Sequence, residues 1–91
     1  MTHRVVWADE ALTNIYEISE FVAAYNPAAA RRLADRLFAA ATSLNEFPDR
    51  GREAGPGLRE LTIVWPYVLR YSVSADEVRI IRIRHGARQP D

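Results

Sequence analysis

The chain has 91 residues, 48% of them hydrophobic and 26% charged, with no cysteine and a formal net charge of zero. That composition belongs to an ordinary globular domain, and it excludes a disordered or fibrous chain, a disulfide framework and a thiolate metal site. All 12 basic residues are arginine: residues 1–49 hold 4 of them against 7 acids and residues 50–91 hold 8 against 5, so the C-terminal half is the one that attracts anions.

No stretch approaches the roughly 20 apolar residues of a membrane span, and the opening MTHRVVWADEAL lacks the apolar run of a secretion signal. A cytoplasmic, soluble protein of one domain over residues 1–91, without membrane association, is expected. So short a chain buries a thin core, which makes a stabilising partner a working hypothesis.

In chain order, residues 3–7 (HRVVW) are apolar and β-branched and read as a short edge strand. Asp9 is then placed to cap a helix through residues 10–25, with Leu12, Ile15, Ile18 or Ser19, and Val22 at helical spacing. Asn26-Pro27 restarts the chain as a second helix. Asn26 can accept the orphan amides, while Pro27 sits where its missing donor is not needed. Ala30, Leu33, Leu37, Ala40, Ala41 and Leu44 form the stripe of that helix, and so short a link makes the two helices antiparallel.

Residues 48–57 (PDRGREAGPG) are a loop, after which the apolar period changes from helical to alternating. Residues 58–64, 67–73 and 77–85 read as three strands, parted by Trp65-Pro66 and by Ser74-Ala75-Asp76. The expected class is α+β: an N-terminal edge strand, an antiparallel helix hairpin and a three-stranded antiparallel β-meander.

Alternation assigns Leu61 and Ile63, then Tyr67, Leu69, Tyr71 and Val73, then Ile81 and Ile83 to the face that packs on the helices. For those faces to coincide, Leu61 must meet Leu69 and Tyr71 must meet Ile81. The same register puts Glu60 opposite Arg70 and Arg70 opposite Arg82, with Arg84 two residues further on. Opposed arginines repel by up to about 1 kcal/mol unless something negative intervenes, and Glu60 answers only part of that charge. Arg84 and Arg88 have no partner evident in the sequence. The open face is therefore expected to receive a carboxylate-rich or phosphate-rich ligand. Trp7, Trp65, Tyr67 and Tyr71 could stack bases, but their spacing assigns the aromatic residues to the core.

His85 is the candidate for acid/base work, since imidazole moves protons near neutral pH. Alternation places it on the face of Ile81 and Ile83, at the strand end. No Ser-His-Asp set, paired carboxylates, phosphate-cradling loop or metal-ligand spacing is found, so neither a metal nor a cofactor is expected. Tyr16, Glu20 and Phe21 lie off or beside the main stripe of the first helix, which points to a protein contact there.

GLRELTIVWPYVLRYSV (57–73) followed by EVRIIRIRHGARQP (77–90), after a hairpin opened by WADEAL and NPAAARRLADRL, resembles the RelE/ParE family of toxins from type II toxin-antitoxin modules. The resemblance covers nearly the whole chain. It implies the β-α-α-β-β-β fold and a partner antitoxin whose extended C-terminal segment wraps the helices and sheet, in a hetero-oligomer such as a 2:2 complex.

The family divides by target. RelE-like members cut mRNA in the ribosomal A site with basic residues on the open sheet face and, in many, a late tyrosine or histidine; ParE-like members poison DNA gyrase. Val68 stands where the nuclease branch usually carries an arginine, lysines are absent, and only Arg88 and His85 match its functional positions. The resemblance therefore implies a non-catalytic, ParE-like gyrase inhibitor, with Glu60, Arg70, Arg82, Arg84, Arg88, Tyr16 and Phe21 meeting antitoxin or target. The alternative is an mRNA endoribonuclease using His85, Arg88, Arg84 and Arg70. A chain reduced to an antitoxin-binding domain is a third possibility.

Overall fold

A computed structural model describes residues 2–62 and 64–86. The chain runs through β1 (Arg4–Trp7), α1 (Asp9–Ala23), α2 (Pro27–Thr42), a 3-10 turn (Ser43–Asn45), β2 (Arg52–Glu53), β3 (Leu58–Leu61), β4 (Tyr67–Val73) and β5 (Glu77–His85). The strands form one sheet in the order β1-β5-β4-β3-β2, parallel between β1 and β5 and antiparallel elsewhere. The expected α+β class and element order hold, with one addition. The loop contributes a short fifth strand, β2, that pairs with β3.

The start of α1 differs from the expected cap. Ala8, in extended conformation, is the N-cap and offers no side-chain bond, and Asp9 is the first helical residue. The cause lies in the sheet: the Ala8 amide donates to the Ile80 carbonyl at 2.9 Å, which fixes that residue to β5 and leaves the helix to begin one position later. Asp9 and Glu10 then favour the positive end of the helix dipole. The α1 stripe is also rotated: Ala11 and Ile15 are buried and Leu12 is exposed. The restart at Asn26 is as expected, its side chain accepting the Ala29 amide at 3.0 Å with Pro27 in the first turn.

Helix α2 buries Ala30, Leu37, Ala40 and Ala41, and Leu44 follows in the 3-10 turn. Leu37, Ala40, Ala41 and Leu44 close on the sheet's inner face, where Leu69, Tyr71, Val78 and Ile80 are fully buried. Each such side chain contributes roughly 1.5–3 kcal/mol of burial. Leu61 pairs with Leu69, as the alternation requires.

On β5 the register departs from expectation. Arg70 faces Arg82, but Tyr71 faces Ile80, so a bulge leaves Ile81 as an extra residue. Ile80, not Ile81, is therefore the core residue, joined by Ile83 beyond the bulge. The strand read over residues 58–64 ends at Leu61, and Ile63 lies outside the described residues. Trp65, assigned to the core, is 83% exposed in the turn before β4.

Candidate functional site

The sheet's other face carries the chain's arginine cluster. Alternation sends Glu60 of β3, Val68 and Arg70 of β4, and Arg82 and Arg84 of β5 outward, and the register sets Glu60 opposite Arg70, Arg70 opposite Arg82 and Val68 opposite Arg84. Arg52 joins them because β2 pairs it with Glu60.

That fourth arginine depends on how residues 48–57 are fastened. The buried Tyr71 hydroxyl accepts the Gly51 amide at 2.8 Å and donates to the Pro48 carbonyl at 2.8 Å. Arg59 donates to the carbonyls of Gly51 (2.6 Å) and Asp49 (3.2 Å). A side chain at Gly51 would place its Cβ 2.6 Å from the Glu60 carbonyl oxygen and 2.8 Å from the Tyr71 hydroxyl, so only glycine fits this approach. Burial pushes the Tyr71 phenol up, against the Gly51 amide that favours its ionised form.

Glu60 is the centre of the cluster and is 3% exposed. Arg52 Nη2 donates to its Oε1 at 2.9 Å, Arg70 donates to its Oε2 through Nε (3.1 Å) and Nη2 (2.7 Å), and Arg84 Nη2 stands 3.5 Å from Oε2. Burial alone would raise this carboxyl, but the Arg70 hydrogen bonds and the charges of Arg70, Arg84 and Arg52 outweigh it and hold Glu60 below its ordinary value. Arg84, expected to lack a partner, is thus paired through Glu60; the prediction failed because the ion pair runs diagonally across three strands. Among the described residues the face thus gathers Arg52, Arg70 and Arg84 around the carboxylate of Glu60, with Arg82 opposite Arg70.

Of the remaining predicted residues, His85 lines a groove together with Arg84 of the cluster. His85 pairs with Tyr67 and stacks on it edge-to-face at 5.5 Å, on the helix side of the sheet. Phe21, stacked on Tyr25 at 5.7 Å, lines a groove with His85 and Tyr67, while Tyr16 lines a separate shallow groove between α1 and α2. Arg88 lies outside the described residues. Two contributors escaped sequence reasoning. Arg52 sits in a two-residue strand too short to show a period, and Asn14, on α1, accepts the Ile83 amide at 2.9 Å across 69 positions.

No helix among the described residues is long and apolar enough to cross a membrane. A family model described as ParE toxin of type II toxin-antitoxin system, parDE, matches residues 5–90. The chain is 49% identical over 85 residues to Toxin RelE2 of Caulobacter vibrioides, covering 93% of this chain and 97% of that protein. It is 37% identical over 92 residues to Toxin RelE1 of the same organism, covering 98% and 99%. Its fold is similar to a chain of the solved structure described as the chromosomal ParDE TA system from P. aeruginosa, with a TM-score of 0.78 at 22% identity over 92% of this chain and 96% of that one.

Proposed function

The chain belongs to the ParE toxin family and is the toxin of a type II toxin-antitoxin system, with an antitoxin as partner; we propose that it acts in the cytoplasm without catalysis, by binding DNA gyrase, and that its antitoxin holds it inactive in a hetero-oligomer such as a 2:2 complex. The observation that carries this reading is the content of the arginine face. Cleaving RNA by 2′-hydroxyl attack requires a proton acceptor, a proton donor and stabilisation of the charge that develops on phosphorus. Arginines serve the last need. The carboxylate among them, Glu60, is clasped by three guanidiniums and held below its ordinary value, which makes it a poor base. His85 stacks edge-to-face on Tyr67 and lines a groove that Arg84 also reaches.

In this reading Arg70, Arg82 and Arg84, with Arg88 beyond the described residues, meet acidic groups of the antitoxin or target, and Tyr16 and Phe21 give apolar contacts. Alanine at both Arg82 and Arg84 is expected to weaken antitoxin binding and flatten its salt dependence; unchanged affinity would contradict the anionic contact.

A second reading is favoured by the RelE names of the 49% and 37% identical relatives. In it the chain cuts mRNA on the ribosome, with Arg70, Arg84 and Arg88 on phosphates and His85 moving the proton. Expression without antitoxin separates the two. Filamentation with a DNA-damage response is expected for gyrase, whereas abrupt translation arrest, with mRNA cuts abolished by His85→Ala, would establish the second reading.

A further inference from the structure

The arginines divide into two populations. On the strands, Arg4, Arg52, Arg59, Arg70, Arg79 and Arg84 each pair with a glutamate. On α2 and the loop that follows it, Arg32, Arg36 and Arg50 are exposed, and among the described residues no carboxylate pairs with them. The acids nearest in sequence turn elsewhere: Asp35 lines the groove between α1 and α2, and Asp49 a groove beside Gly55 and Pro56.

These three arginines share one surface. Arg32 and Arg36 stand one helical turn apart and are neighbours on α2. Arg36 and Arg50 line a depression of about 280 Å³ together with Ala39, Ala40 and Val64. Arg50 Nη1 donates to Ser43 Oγ at 2.6 Å, and Ser43 Oγ in turn donates to the Ala40 carbonyl at 2.6 Å. A neutral hydroxyl thus sets the direction of this guanidinium and leaves its charge intact, so less ordering is required when an anion arrives. Trp65, the residue after buried Val64, is 83% exposed. Guanidiniums suit phosphate oxygens, and an exposed flat ring beside them suits a base whose face is free, as in a single strand and not in a duplex.

We propose that Arg32, Arg36 and Arg50 hold phosphates of a single-stranded nucleic acid and that Trp65 stacks one of its bases, at a site separate from the arginine face of the sheet. The site goes beyond the target reading: it needs neither antitoxin nor gyrase, and it asks nothing of Glu60 or His85.

Fluorescence anisotropy tests this on the purified full chain, with labelled oligothymidine of about 12 nucleotides, its ribonucleotide counterpart and a duplex of equal length as probes. The chain is expected to bind a single strand, deoxy or ribo, more tightly than the duplex. Alanine at both Arg32 and Arg36, exposed helical positions that alanine suits, is expected to weaken binding at least about tenfold and to flatten its salt dependence, since fewer counterions are released. Trp65→Ala is expected to weaken it at least about fivefold and leave the salt dependence as in wild type, because stacking releases no counterions. Melting temperatures should stay unchanged, and glutamine at both positions replaces the alanine pair if that variant does not fold. Wild-type affinity in either variant, equal affinity for the duplex, or displacement of the strand by polyglutamate at equal charge overturns the site. So does a loss of binding in the Arg82→Ala, Arg84→Ala double variant alone, which would move the contact to the sheet.

Discussion

The two faces of the sheet are built from the same strands and held by different physics. Towards the helices, Leu69, Tyr71, Val78 and Ile80 are sealed by Ala11, Ile15, Leu37 and Ala41, and the face is held by apolar burial. On the other side, Arg52, Arg70 and Arg84 converge from β2, β4 and β5 on Glu60 of β3, and the strands are held by charge. The centre of the inner face is closed by its own side chains. The outer face gathers arginines around one buried carboxylate, and in the proposed reading it meets an anionic partner.

If the outer face is a fastened structure and not merely solvated surface, Glu60→Ala should destabilise the protein by about 3 kcal/mol in urea titration, comparable to a Leu→Ala change in the core, because it leaves converging arginines without their carboxylate. A loss within about 0.5 kcal/mol would reduce the cluster to ordinary surface charge.

Acid should reveal the same clasp. The Glu60 carboxyl is lower in the folded than in the unfolded chain, so its contribution is fully present above the unfolded value and is lost as pH falls through the folded one. Wild type should therefore lose stability below about pH 4.5 more steeply than Glu60→Gln, measured as melting temperature against pH. Parallel curves would remove Glu60 as the cause.

Tyr71 joins the two faces, since its ring lies in the core and its hydroxyl fastens the loop that delivers Arg52. Tyr71→Phe should cost about 1–3 kcal/mol by leaving the buried Gly51 amide without its acceptor. Away from both faces, Asn26→Ala should cost about 1 kcal/mol through loss of the α2 cap, with no change in antitoxin affinity by titration calorimetry.

What was legible in the sequence follows the range of the interaction concerned. The Asn26-Pro27 restart, the change of period after residue 57, and the Leu61, Arg70 and Arg82 pairings are set by local chemistry and alternation, and the structure holds them. The bulge was hidden because Ile80 and Ile81 are both isoleucine, and an apolar pair cannot say which member faces the core. The Ala8 cap was decided by a hydrogen bond to Ile80, 72 positions away, against a local preference for Asp9. Trp65 was assigned by its apolar character, but its place in a turn exposes it. At the candidate site, Glu60 opposite Arg70 was readable from register. The reach of Arg84 to Glu60 and the pairing of Arg52 required side-chain lengths and a two-residue strand that no period marks.

In the proposed reading the arginine face binds and does not cut. It is tested most directly by adding the purified protein to gyrase with relaxed plasmid and, in parallel, to ribosomes translating a defined mRNA. Loss of supercoiling, restored by antitoxin, with the mRNA intact, is expected. Undisturbed supercoiling together with mRNA cleavage that disappears in His85→Ala would contradict it.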